Sequence, residues 1–314
     1  MTNYGSGGTI AKVVDNTYQR WIPEWIKNMR FLDHRSGVLS DLHVIPKMPD
    51  VKTVIICGSG PSLNADFEHL QKLQHDKSVC IIANHSNLAT LFHRGIIPDF
   101  CVISDASEQI PKRLEETIFQ FKHSWTKGIR KTRFLLPTMS SPELIRLLAK
   151  NHCIMFFFKA ITREVDGMTG LYNIVTNILC SSIESGILQA GCVSNVSLII
   201  CHILKLYSMT NLQDVILSGV DFSYPNGISR CETVSMKDGK LSIEEKPTWI
   251  APDLKQIKYN GLLTDVTNVA YRNDLMFILE NLRVEDNKLP FNVFTSRPNF
   301  ISDFLLVHTL LSLT

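Results

Sequence analysis

The chain has 314 residues, 45% of them hydrophobic, and a formal net charge of +2. Basic and acidic residues are interspersed, so no single-signed basic face is present and no nucleic-acid partner is expected. No run of about 18 apolar residues occurs: the nearest approach, Val193 to Met209, carries Asn195, His202 and Lys205 and reads as a buried helix rather than a membrane span.

Met1 to Ile10 is small and polar, without the apolar core of a signal segment. Thr17 to Phe31 follows with Trp21, Ile22, Trp25, Ile26 and Met29 at helical spacing, and Pro46 to Asp50 reads as a linker. Residues 1–50 are therefore expected to be a helical extension, and the main domain to run from 51 to 299. From Val51 the chain alternates. Strands are predicted at 52–57, 79–83, 100–104, 132–136, 153–158 and 214–218, with helices between them at 62–74, 86–94, 108–121 and 141–150. Two longer helices are predicted at about 169–185 and 193–208. Residues 222–260 lack periodicity and read as an excursion, a hairpin or a lid. A helix at 267–282, a strand at 291–295 and an apolar C-terminal helix over 300–314, packed in the core or against a second copy, complete the pattern. Strands alternating with helices predict an α/β, Rossmann-like, mostly parallel sheet with helices on both faces.

In such sheets ligands bind above the carboxyl ends of the strands. The first strand ends in Gly58-Ser59-Gly60-Pro61-Ser62, where a helix start is expected to aim free amides at a phosphate. The second ends in Ala83-Asn84-His85-Ser86, the third in Ser104-Asp105-Ala106-Ser107, and a late one in Ser218-Gly219-Val220-Asp221. Gly191-Cys192-Val193-Ser194-Asn195 opens a long apolar helix and offers a second anion site. Tyr224 and Arg230, just beyond Asp221, are candidate phosphate contacts.

Each residue type also has a plainer role. Asn84, Asp105 and Asp221 can cap helices, and Ser194 can be an ordinary helix-start serine. Asp105 and Asp221 are nevertheless candidate catalytic groups and candidate ligands for Mg²⁺. On that reading Asp221→Ala weakens ligand binding more than it lowers stability. Leu63 replaces the third glycine of a dinucleotide fingerprint, and Asn84 stands where an acid would hold a ribose, which disfavours NAD. No P-loop motif exists. His85 is the one histidine beside the predicted site. The eight cysteines are scattered, mostly within apolar runs, which suits a reducing, cytoplasmic setting and argues against disulfides or a zinc site.

Gly60-Pro61-Ser62-Leu63, Gly95-Ile96-Ile97-Pro98-Asp99-Phe100 leading to Ser104-Asp105, Gly191-Cys192-Val193-Ser194 and Leu217-Ser218-Gly219-Val220-Asp221-Phe222-Ser223-Tyr224 form an ordered set. It resembles the family that joins Maf-type flagellin glycosyltransferases with 6-hydroxymethylpterin diphosphokinase MptE-like proteins, over about Val51 to Asn299, including a Gly261-Leu262-Leu263-Thr264 segment taken as helical. Two of the motifs also resemble bacterial CMP-sialic acid sialyltransferases. That resemblance implies that Gly58, Gly60, Pro61, Ser62, Asn84 and Ser194 line a nucleotide. The histidine base of those enzymes has no counterpart around Tyr259 to Asp265.

The expected protein is a nucleotide-dependent transferase. Its substrate is a CMP-linked nonulosonic acid given to a protein or glycan acceptor, or ATP with Mg²⁺ giving pyrophosphate to a pterin alcohol. A nucleotide-binding module without chemistry is the third reading, and a homo-oligomer fits the apolar C-terminus.

Overall fold

The computed structural model describes residues 22–32, 40–119, 125–162, 167–189, 191–248, 256–259, 261–283 and 288–313. Among them the strands are β1 (Thr53–Cys57), β2 (Val79–Asn84), β3 (Phe100–Val102), β4 (Arg133–Pro137), β5 (Ile154–Ile161), β6 (Gly186–Leu188), β7 (Asp214–Ser218), β8 (Thr233–Lys237), β9 (Lys240–Glu244), β10 (Gln256–Tyr259), β11 (Leu262–Asp265), β12 (Asn292–Thr295) and β13 (Leu306–Val307). The helices are α1 (22–32), α2 (Phe67–Leu73), α3 (Leu88–His93), α4 (Gln109–Leu114), α5 (Thr126–Lys131), α6 (Pro142–Lys150), α7 (Gly167–Leu179), α8 (Val193–Tyr207) and α9 (Val266–Asn281).

Nine of these strands form one sheet in the order β13-β12-β7-β1-β2-β3-β4-β5-β6. Every pairing in it is parallel. The chain walks outward from β1 to β6, returns through α8, and lays β7 against the other side of β1. The strand order therefore reverses at the β1–β7 pair, the place where open α/β sheets hold ligands. Register sets Cys57 beside both Ala83 and Ser218, so the loops leaving β1, β2 and β7 start level with one another.

Both faces of the central strands are dry. Along β1, Ile55 and Cys57 face one apolar layer with α2, α3, α4, α5 and α6. Val54 and Ile56 face the other, built on α8 and α9. This alternate burial explains why β1 and β2 read as unbroken β-branched runs.

The described residues before Val51 contribute to the body of the molecule. In α1, Ile22, Trp25 and Met29 pack against Tyr172 of α7, with the Trp25 and Tyr172 rings 5.4 Å apart. Asp41 bridges to Phe157 and accepts the N–H of Ser185 at 2.8 Å, joining this segment to β5 and the turn before β6. The start of the predicted N-terminal helix, 17–21, lies outside the described residues.

Two expectations are corrected. The C-terminal helix expected over 300–314 is not formed by the described residues up to 313: they form the edge strand β13 and a short 3₁₀ turn over Leu310–Leu313, because Leu306 and Val307 continue the sheet beside Phe294 and Thr295. Leu262–Asp265 is strand β11, paired antiparallel with β10, and the helix begins after it at Val266. Within 222–260, β8 and β9 form a hairpin, one of the forms expected for this excursion, and Val234 of β8 is buried with the α3 layer.

Candidate functional site

Above the β1–β7 switch lies a pocket of about 380 Å³, a size suited to a small-molecule ligand. Its floor is Ser59, Gly60, Gly219, Val220 and Asp221; one wall is Asn84, Ser86, Cys192, Val193 and Ser194. The opposite wall is Phe222, Ser223 and Tyr224 with Asp265, Thr267, Asn268 and Tyr271, and Ser229 and Arg230 close one end.

The floor is two crossing loops in direct contact. The Gly58 N–H donates to Ser218 O and the Gly60 N–H to Gly219 O, each at 2.7 Å. A side chain at Gly60 would put its Cβ 2.4 Å from Asp221 Oδ2, and Gly219 adopts a left-handed φ of +69°. Both positions therefore require glycine. Asp221 is buried, and its carboxylate accepts the Ser62 N–H (2.8 Å), the Ser62 hydroxyl (2.6 Å) and the Asn299 side-chain N–H (3.1 Å). Burial pushes this carboxyl above the usual range, and the bonds from Ser62 and Asn299 oppose that shift.

These bonds change the expected division of labour. The amides of Gly58, Gly60 and Ser62 are spent within the protein, so they do not form the free cradle that the Gly-x-Gly-Pro-Ser sequence predicts. Asp221 likewise has both oxygens occupied and is built as the clamp of the first loop, not as an open Mg²⁺ ligand or base. Asp105 does not line the pocket. Its carboxylate turns back to the Ser107 N–H at 2.9 Å, although its charge is felt at Tyr271. Among the described residues no group of three or more His, Cys, Asp or Glu is placed to hold a metal ion.

The groups suited to an anion lie elsewhere in the pocket. α8 begins at Cys192 without a side-chain hydrogen-bonded cap, and Val193 and Ser194 line the pocket there. That leaves the positive end of a 15-residue helix directed at the cavity. Burial pushes the Cys192 thiol up to about 12, against the opposing effect of the Ser194 and Asn195 amides that face its sulfur. Arg230 is the one cation among the described lining residues and makes no hydrogen bond or ion pair to another described residue. Asn84 donates to Ser194 Oγ at 3.3 Å, while its buried Oδ1 has no hydrogen-bond partner. Ser59 and Ser86 share a 2.6 Å hydroxyl contact on the floor.

Of the remaining predicted residues, Ser218 sits beneath the floor, its hydroxyl bonded to Asp66 at 2.7 Å. Gly191 abuts the Tyr271 ring, and Pro61 opens the 3₁₀ turn after the first loop. Tyr224 lines the pocket, but its hydroxyl donates to Asp265 and is not free to donate to a phosphate. His85 lies beside the site, held neutral near pH 7: burial, reinforced by the Arg113 and Arg230 charges, lowers it to about 4.

Sequence reasoning missed Asp265, Thr267, Asn268 and Tyr271. Asp265 caps α9 by accepting the Asn268 N–H at 2.9 Å, and the other three project from its first turns. The available signal was an aspartate before a helix whose positions 267, 268 and 271 carry polar groups on one face.

The fold and site define a parallel α/β protein with a pocket at the switch point of its sheet. The chain belongs to the family described as 6-hydroxymethylpterin diphosphokinase MptE-like, whose model matches residues 24–227. Among solved structures it resembles a Maf glycosyltransferase from Magnetospirillum magneticum AMB-1, with a TM-score of 0.60 and 16% identity. The similarity covers 93% of this chain and 39% of that one, so this chain spans well under half of that protein's length. No curated protein sequence matches the chain. Among the described residues no helix is long and apolar enough to cross a membrane.

Proposed function

We propose that the protein is a nucleotide-dependent transferase, and in its most concrete form a glycosyltransferase that uses a CMP-linked nonulosonic acid as donor. The observation that carries this reading is that the α8 N-terminus, which has no hydrogen-bonded side-chain cap, and Arg230 both line a pocket whose acidic side chains, Asp221 and Asp265, are already hydrogen-bonded. A phosphate is the group such a pocket favours. Asn84 lines the same pocket and offers its side-chain amide to the nucleoside. In the transfer, the bond from the anomeric carbon to the phosphate oxygen breaks and its electron pair leaves with the nucleotide. The acceptor hydroxyl oxygen bonds to that carbon and releases its proton. Amides of α8 and the Arg230 guanidinium stabilise the departing phosphate.

The family description favours a second reading, pyrophosphate transfer from ATP to a pterin alcohol. Here Mg²⁺ would be held mainly by the triphosphate, because the described side chains supply no preformed cage for it. The same pocket without chemistry would be a nucleotide-binding module. A cytoplasmic location suits all three readings.

Thermal unfolding with CMP, CDP, ATP and GTP, each with and without Mg²⁺, separates them. A ligand at 100 times its Kd stabilises by roughly 2.7 kcal/mol. Metal-independent stabilisation by CMP supports the glycosyltransferase, and stabilisation by ATP only with Mg²⁺ supports the diphosphokinase. A response to nucleotide without turnover of either substrate supports the module. No response to any of the four rejects the nucleotide site.

A further inference from the structure

Arg230 is exposed and bonds to no described residue, so the backbone on either side determines where its guanidinium can reach. That backbone is pinned at adjoining points. The Cys231 N–H donates to Ser59 O at 2.9 Å, tying the segment to the pocket floor. The Glu232 N–H donates to Asn64 Oδ1 at 2.8 Å, and Glu232 O accepts the Thr90 hydroxyl at 3.0 Å. The Glu232 carboxylate, 3% exposed, takes a two-point grip from Arg94: Nε donates to Oε1 at 3.0 Å, and Nη2 donates to Oε2. The Arg94 guanidinium lies 5.3 Å from the Phe67 ring centroid. Neither Arg94 nor Glu232 lines the pocket.

We infer that the Arg94–Glu232 pair is a positioning device, which fixes the 229–232 segment so that Arg230 faces the phosphate of a bound nucleotide. The geometry is suited to the task. A buried carboxylate held by a planar fork has one register, whereas a point charge would permit several. Two further hydrogen bonds hold the main chain of the same residue, so a shift of the pair moves the residues beside it. Arg94 and Glu232 thus act on the ligand only through Arg230. The inference rests on the nucleotide reading of the pocket.

The test is calorimetric titration of CMP, and of ATP with Mg²⁺, into the wild type, Arg94→Met, Arg230→Ala and the double variant. Methionine keeps an apolar stem over Phe67 while removing the grip on Glu232. Arg94→Met is expected to weaken nucleotide binding roughly tenfold, the loss of much of one charged hydrogen bond from Arg230, and to have no further effect in the Arg230→Ala background. Equal weakening in both backgrounds, or none in either, overturns the inference while leaving the nucleotide reading in place. A wild-type protein that binds neither nucleotide overturns both. Should Arg94→Met not fold, Arg94→Lys keeps the charge without the two-point grip and is read by the same comparison.

Discussion

Asp221 grips Ser62 twice, through the backbone N–H at 2.8 Å and the hydroxyl at 2.6 Å, across 159 positions of sequence. A carboxylate at the end of β7 thereby fixes the loop leaving β1, and the floor of the pocket depends on it. Removing it strands a buried amide and a hydroxyl. Asp221→Ala is therefore expected to lower stability by about 2–4 kcal/mol, and Ser62→Ala by about 1 kcal/mol. Chemical denaturation measures both. A stable Asp221→Ala protein that has merely lost nucleotide binding would return Asp221 to the role of a ligand-contacting group.

Gly60→Ala addresses the same contact from the other side. Its Cβ would stand 2.4 Å from Asp221 Oδ2 and 2.8 Å from Gly219 O. Neither neighbour can withdraw without breaking the clamp, so we expect a loss of about 2 kcal/mol or more. A midpoint of unfolding within error of the wild type would mean that the two loops are not in register.

Arg230→Ala is the complementary variant. The side chain is exposed and carries no bond to a described residue, so stability should change by less than about 0.5 kcal/mol. Binding of CMP or ATP should weaken by about 1.5–3 kcal/mol, the usual worth of a charged hydrogen bond, and the remaining affinity should depend less on salt. Unchanged affinity in a titration would remove Arg230 from the phosphate site.

His85 gives a pH signature. Its folded value, about 4, lies below the ordinary 6.5. The stability it contributes is complete above pH 6.5 and declines as the pH falls through that value towards 4. His85→Gln should flatten the unfolding midpoint across this window, measured from pH 7.5 to 4. In the wild type, a nucleotide phosphate that neutralises Arg230 should raise the His85 value, followed by its ring-proton NMR shifts. Equal pH dependence in the wild type and His85→Gln would exclude this residue as its source.

Much of this architecture was legible in the sequence. β1, β2 and β7 are buried on both faces, so Val54 to Cys57 and Val215 to Leu217 had to be continuous apolar runs, and small or polar residues mark where they end. Family resemblance and the α/β sheet followed from that order. Short or polar elements gave no such signal. β6 has only Gly186, Ile187 and Leu188, and β10 carries Gln256 and Lys258, so neither presents a run or an alternation strong enough to read. The use of the loop amides was hidden for a different reason. Local sequence presents the Gly58 and Gly60 N–H groups as free, but the carbonyls that consume them, Ser218 and Gly219, belong to a strand far along the chain. Tyr271 was hidden because only the packing of α9 against the Gly191 turn brings it to the pocket.

The return of the chain to β1 has a consequence for biosynthesis. One side of β1 pairs with β2, made soon after it, while the other waits for β7, made after β6 and α8. At ribosomal speeds the delay is roughly ten to thirty seconds, during which Val54, Ile55 and Ile56 present a bare edge. A nascent chain stalled between α8 and β7 would carry an adhesive strand and no pocket floor, so synonymous changes that slow that interval should lower soluble yield without altering a single contact in the finished protein.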